Sequence, residues 1–266
     1  MNKLKLLMLP IILISISLHA QDTEEIPDMV TDRPDATESP LTVPKGTLQI
    51  ETGAFYTSFE ETILGERIKQ EVIGYNTTLL RYGLCDNFEF RLGWNFEEGK
   101  TSINGTELMD VSSGLSPLLA GMKVNISQEK GWIPTIGLLG HLMLPFSASK
   151  DYKPETTGAD FRFSFAHTLS ENSSLSYNLG AQWGDDSPEI AYIYTLSYGI
   201  SVAQGLGIYA ELYGDLPEDS SANHFWDAGL TYLIMHNLQA DATVGTSLTD
   251  GQDLLLSAGL SYRIPN

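Results

Sequence analysis

The chain has 266 residues, 42% of them hydrophobic, with 15 Lys and Arg against 34 Asp and Glu, a net charge of −19. So acidic a chain is a poor nucleic-acid binder, since such partners select basic faces. No apolar run of ~18 residues follows the N-terminus, which excludes helical membrane spans, and the single Cys85 leaves an exported chain without an intramolecular disulfide.

Residues 1–20 carry Lys3 and Lys5, then an apolar run from Leu6 to Leu18, then Ala20 at a plausible cleavage point. That is the layout of a secretory signal peptide, too short to count as a spanning helix. No Cys follows the cut, which argues against a lipid anchor. Residues 21–46 are acidic, with prolines at 27, 34, 40 and 44, and such a segment buries little and forms no regular element. Two readings stay open for it. One is a disordered periplasmic lead-in; the other folds the segment back into a barrel mouth, where Arg33 pairs a lumen carboxylate.

From Thr47 to the C-terminus, apolar and polar residues alternate in segments of roughly ten, the length and period of a membrane-spanning strand. Leu48, Ile50, Ala54 and Tyr56 oppose Gln49, Glu51 and Gly53 in the first. Leu80, Tyr82 and Leu84 oppose Arg81 in the second, which runs from about Val72. Phe88, Phe90, Leu92, Trp94 and Phe96 oppose Glu89 and Arg91 in the third. The fourth, from about Leu115 to Ile126, sets Lys123 inward and contains Pro117, a sign of a bulge or a late start. The fifth, Ile133 to Pro145, places His141 in an inward column; the sixth alternates Phe161, Phe163 and Phe165 with Asp160 and Arg162. The seventh and eighth set Leu179 and Trp183, then Tyr192 and Tyr198, against Ser, Thr, Asn and Gly. The last four carry Glu211, Asp227, Asp241 and Arg263 inward, opposite Ile208, Trp226, Val244 and Tyr262 respectively.

Connections after even strands are tight, as at Asp86-Asn87, Glu171-Asn172 and His236-Asn237. Those after odd strands are longer and polar, as at Glu60–Lys69, Glu97–Val111, Ser147–Gly158, Asp185–Glu189 and Asp215–Ala222. Short turns alternating with long loops, over an even strand count, predict an all-β fold: a closed antiparallel transmembrane β-barrel of about 12 strands in the outer membrane. Both termini then face the periplasm. A soluble sandwich also alternates, but its outer face is the polar one.

The inward column holds Glu51, Glu89, Asp160, Glu211, Asp227 and Asp241 against Arg81, Arg91, Lys123, Arg162 and Arg263. Charges enclosed in a barrel persist only if paired or wetted. They form either a structural ion-pair network or a solute path with opposite charges on facing walls. No cluster of His, Cys and carboxylates has metal-ligand spacing, and no cofactor is expected. His141, His224 near Asp219 and Ser220, and His167 and His236 near strand ends are the openings for a hydrolase, and none lies in a hydrolase motif. An enzyme is therefore not expected, and an outer-membrane lipid hydrolase stands as the least favoured alternative.

Thr31-Asp32-Arg33-Pro34, Ser39-Pro40, Val43-Pro44-Lys45-Gly46 and the strand opening Gln49-Ile50-Glu51-Thr52-Gly53 resemble the start of the outer-membrane β-barrel family named for the MetA pathway of phenol degradation. Leu118 to Lys123 also resembles that family's segment ending in Gly-x-Lys, although Ser116-Pro117 stands where an acidic residue is often found. The resemblance implies passive uptake of small, hydrophobic or aromatic solutes, with outer-membrane lipid and the solute as partners. The alternative is a structural or surface-binding barrel with a plugged lumen. Asp32, Arg33 and Pro34 are expected to seat the leader, and Arg81, Arg91, Lys123, Arg162 and Glu51 to line any path. Ser257 to Ile264 resembles the C-terminal strand signal read by the barrel-insertion machinery, but without a terminal Phe.

Overall fold

A computed structural model of the protein describes residues 28–184, 189–249 and 251–264. The expected signal peptide, the first leader residues 21–27, most of the 185–189 loop and the last two residues lie outside the described residues.

The strands are β1 (Leu48–Ile63), β2 (Glu66–Cys85), β3 (Phe88–Ile103), β4 (Thr106–Glu107), β5 (Ser112–Leu115), β6 (Leu118–Ser127), β7 (Thr135–Leu144), β8 (Gly158–Ser170), β9 (Ser173–Trp183), β10 (Ile190–Ala203), β11 (Leu206–Pro217), β12 (Asn223–Met235), β13 (Leu238–Ser247) and β14 (Gln252–Arg263). Twelve of them form the ring. Each pairs antiparallel with its sequence neighbour, β3 pairs with both β2 and β6, and β1 pairs with both β2 and β14. Closure leaves no free edge within the hydrocarbon layer. The two short strands are additions to the outer end of β3.

The outward column is what makes this a membrane protein. Leu84, Phe90, Met122, Leu142, Phe163, Leu179, Leu196, Leu230 and Leu260 are all exposed, and a water-soluble chain does not leave so broad an apolar surface uncovered. The residues between them are buried instead: Gln49, Glu51, Arg81, Glu89, Lys123, Asn178 and Ser261 are at most 1% exposed. Tyr82, Tyr232 and Tyr262 form part of an aromatic girdle at the short-turn end of the wall, while Trp183, Tyr192 and Trp226 stand toward the opposite end.

Two of the expected outer loops are strands. The Glu60–Lys69 segment continues the β1–β2 ladder to Ile63 and Glu66 and turns at Leu64-Gly65, with φ of 53° and 87°. The Glu97–Val111 segment continues β3 to Ile103 and turns at Asn104-Gly105, with φ of 51° and 82°. Two consecutive left-handed residues match the twist of the strands they join, so the hairpin extends rather than opening. In the β1–β2 extension one face carries Glu60, Arg67, Lys69 and Glu71 and the other mixes Phe59, Ile63 and Ile68 with Glu61, Glu66 and Gln70, so neither face reads as a continuous apolar column. The fourth barrel strand starts at Leu118, just after Pro117, and the Ser112–Leu115 piece before it pairs separately with β3.

Candidate functional site

The leader is inside the barrel. It enters at the short-turn end, where Arg263 Nη1 donates to the Asp28 carbonyl at 3.4 Å and Gln49 Nε2 to that of Val30 at 2.8 Å. It climbs to a crest at Asp35–Glu38 and returns to the same end, where Lys45 bridges to Gly83 and Gly46 N donates to the Gly83 carbonyl at 2.8 Å. A path of this kind has no ladder of its own, so wall side chains must satisfy its backbone. They do so around the whole ring: Glu51 accepts from Asp32 N (3.0 Å), Glu211 from Ala36 N (2.7 Å), Asn178 from Glu38 N (2.7 Å) and Glu89 from Val43 N (2.8 Å). Asn125 and Arg162 donate to the carbonyls of Pro40 and Ala36.

The strongest anchor is ionic. Asp32 lies 2.6 Å from Arg91 Nη1, 3.1 Å from Arg81 Nη1 and 2.7 Å from Lys123 Nζ. Arg81 also reaches Glu51 and Glu89, both at 2.9 Å, and Arg91 holds Glu38 through two bonds of 3.0 and 2.8 Å. Three cations and four carboxylates thus fill one wall of the lumen beside β1, β2, β3 and β6. Charges this deep are tolerated because each has an opposite partner and hydrogen bonds, and removing one leaves others buried and unpaired.

A second anchor depends on missing side chains. Arg33 meets Asp241 Oδ1 at 3.0 Å, Ser257 Oγ at 3.0 Å and Thr77 Oγ1 at 3.3 Å, lying over the cross-strand pair Gly53 and Gly259. A Cβ at Gly53 would sit 2.7 Å from Arg33 Nη2, and one at Gly259 would sit 2.4 Å from its Nε. The glycine pair is a slot for the guanidinium. Gly259→Val is expected to cost roughly 1–3 kcal/mol of overpacking, displaced onto the leader because the wall ladder cannot move. Limited proteolysis should then cut the leader in a barrel that still migrates as folded by heat-modifiability on gels; a leader as protected as the wild type's would refute the slot.

The structure therefore gathers Glu51, Arg81, Glu89, Arg91 and Lys123 with Asp32, and Asp241 with Arg33. Asp160 pairs with His141 Nδ1 at 2.9 Å, and Glu211 and Asp227 face each other across β11 and β12. Arg263 stands at the rim. Pro34 follows Arg33 through a cis peptide and lines a cavity next to the wall. Glu38, Asn178, Asn125 and the glycine pair were not among the expected contacts. The lumen-facing glycines in register were a readable sign, whereas no periodic signal distinguishes Glu38 from other leader acids. As for the hydrolase alternative, the imidazoles of His141 and His224 bond Asp160 and the Tyr194 hydroxyl respectively. Among the described residues neither is paired with a serine or threonine hydroxyl.

The profile of the family described as MetA-pathway of phenol degradation matches residues 31–264, starting at the Thr31-Asp32-Arg33-Pro34 run that enters the lumen. The chain belongs to this family. Its match covers the leader from Thr31 onward and all twelve wall strands. No curated protein matches in sequence. Among solved structures, the chain is similar to an outer membrane channel from Pseudomonas putida F1, at a TM-score of 0.65 and 13% identity over 85% of this chain and 98% of that one. It is also similar to the translocator domain of the autotransporter NalP from Neisseria meningitidis, at a TM-score of 0.55 and 10% identity over 82% and 88%. Identities this low establish the shared barrel: the protein is a closed twelve-stranded outer-membrane β-barrel.

Proposed function

We propose that the protein is a passive outer-membrane channel for small, hydrophobic or aromatic solutes, with the leader as its removable closure. The observation that carries this reading is that the lumen is blocked by a separate stretch of chain, not by wall side chains meeting across the axis. Everything that holds the leader is a hydrogen bond, an ion pair or a close packing contact, all reversible. Above the crest the interior changes character: Tyr213 and Phe225 stack at 5.2 Å on the same face as Glu211 and Asp227, and Phe55 packs over Gly74. A cavity of about 720 Å³ opens between the outer ends of β1–β2 and β13–β14, beside Phe59, Gln70 and Gln252, within the ~300–1,000 Å³ range of small-molecule sites. The solved outer membrane channel from Pseudomonas putida F1 shares this fold and supports a channel, and the family name, which points to phenol breakdown, supports an aromatic solute. Transport is favoured over catalysis because the cations of the β2, β3 and β6 wall, Arg81, Arg91 and Lys123, are engaged in holding the leader. Insertion by the barrel-assembly machinery through the β14 strand, with both termini periplasmic, belongs to the same reading.

The buried ion cluster favours a second reading, a barrel whose plug never leaves. One experiment separates the two. Liposomes carrying the mature protein are compared with liposomes carrying a form lacking residues 21–46, using swelling in small neutral solutes. The channel reading expects slow swelling with the leader and rates on the order of tenfold higher without it. Equal rates from two folded proteins would reject the leader as the closure.

A further inference from the structure

Six acidic side chains are buried among the described residues: Asp32, Glu51, Glu89, Asp241, Glu211 and Asp227. The first four each have a cation within 3.1 Å, supplied by Arg33, Arg81, Arg91 or Lys123. Glu211 and Asp227 have none. They are direct cross-strand partners on β11 and β12, an arrangement in which like charges repel. Asp35, on the leader crest, adds a third carboxylate on this side, lining a cavity with Ser197, the cross-strand partner of Glu211. The neighbours are neutral: Glu211 accepts from Ala36 N and from the Thr37 hydroxyl, Thr37 Oγ1 lies 2.7 Å from Thr195 Oγ1, and the Tyr209 hydroxyl bonds Thr243. Oδ1 of Asp227 is fully buried and has no hydrogen-bond partner, a costly condition for a carboxylate oxygen.

The opposite wall shows how such a set is completed. There Lys123 Nζ sits 2.7 and 2.9 Å from the two oxygens of Asp32 and 3.6 Å from Glu38, so that two carboxylates share one ammonium. On the β11–β12 side a cavity of about 450 Å³ opens among the short turns; Asp35 lines it together with Tyr209 and with Ser197, the cross-strand partner of Glu211, while Glu211 and Asp227 lie behind this lining. Its walls are hydroxyl-rich, with Ser174 and Thr231 among them. Hydroxyls and carboxylates accept hydrogen bonds from N–H donors. The fitting ligand is therefore one that donates hydrogen bonds in several directions.

We propose that Asp35, Glu211 and Asp227 form a subsite for a primary ammonium group, entered from the short-turn end between the leader and the β9–β12 wall. The ammonium donates to the unpartnered Asp227 oxygen and pairs with Glu211, as Lys123 donates to Asp32 and pairs with Glu38 across the lumen. The subsite differs in ligand class from the aromatic path and does not require that the barrel conduct.

Binding is read on the full-length protein in detergent, by thermal unfolding in methylammonium chloride against equal tetramethylammonium chloride, a cation without N–H donors. The wild type should unfold roughly 2–4 °C higher in methylammonium at saturating concentration. Glu211→Gln and Asp227→Asn should each remove the difference while still unfolding cooperatively. Gln preserves an acceptor for Ala36 N, and Asp227→Asn leaves the leader contacts untouched, so either variant suffices if the other fails to fold. Equal unfolding of the wild type in the two salts overturns the proposal, leaving a proton shared by the two acids. A difference that persists in both variants overturns it as well.

Discussion

Asp32→Ala is expected to release the leader. In the wild type its carboxylate is shared by Arg91, Arg81 and Lys123 and accepts from Ser39 N, and all three cations are at most 3% exposed. Removing one partner from a buried charge cluster costs about 3–5 kcal/mol. The wall recovers most of that loss if the leader leaves and water enters, so the cost falls on the seated state and not on the barrel. The seated-to-open ratio should drop by roughly two to four powers of ten. Planar-bilayer recordings should then show long open events where the wild type shows few. A folded Asp32→Ala protein that conducts like the wild type would show that the leader is held by its other contacts.

Arg81→Met tests the wall from the other side. Arg81 stands on β2 and joins Glu51 of β1 to Glu89 of β3, besides donating to the carbonyls of Val30 and Leu41. Its loss leaves Glu51, Glu89 and Asp32 close together with reduced compensation, a penalty of about 3–5 kcal/mol in the intact protein. Without residues 21–46 the same carboxylates meet water, where an ion pair is worth about 0–1 kcal/mol. Denaturant unfolding of four proteins, with and without the leader and with Arg81 or Met, measures the difference. The substitution should be severe only when the leader is present. An equal cost in both backgrounds would mean that the cluster serves the wall alone.

The barrel was largely legible because its cause is periodic. Phe88 to Phe96 against Glu89 to Asn95, or Tyr192 to Ile200 against Thr195 to Ser201, alternate because one side meets lipid and the other meets the lumen, and each strand repeats the message. The β1–β2 and β3 extensions were illegible because above the hydrocarbon layer both faces are wet, so alternation vanishes while the ladder continues. The leader lay between these cases. Arg33 was expected to meet a lumen carboxylate if the segment folded inward, and it meets Asp241; its acidic, proline-bearing composition fits an exposed lead-in equally well. What draws it inward is the complementary charge of a wall that no local window contains.

Sequence by itself determined the membrane barrel and its strand count, since both follow from residues a fixed spacing apart along each strand. Only the tertiary structure decided which charges neutralise which. Arg33 and Asp241 are 208 positions apart, Asp32 and Lys123 are 91 apart, and ring closure through β1 and β14 brings Gly53 against Gly259. Coulomb attraction and steric room depend on distance in space, and that distance exists only once the sheet has closed around the chain.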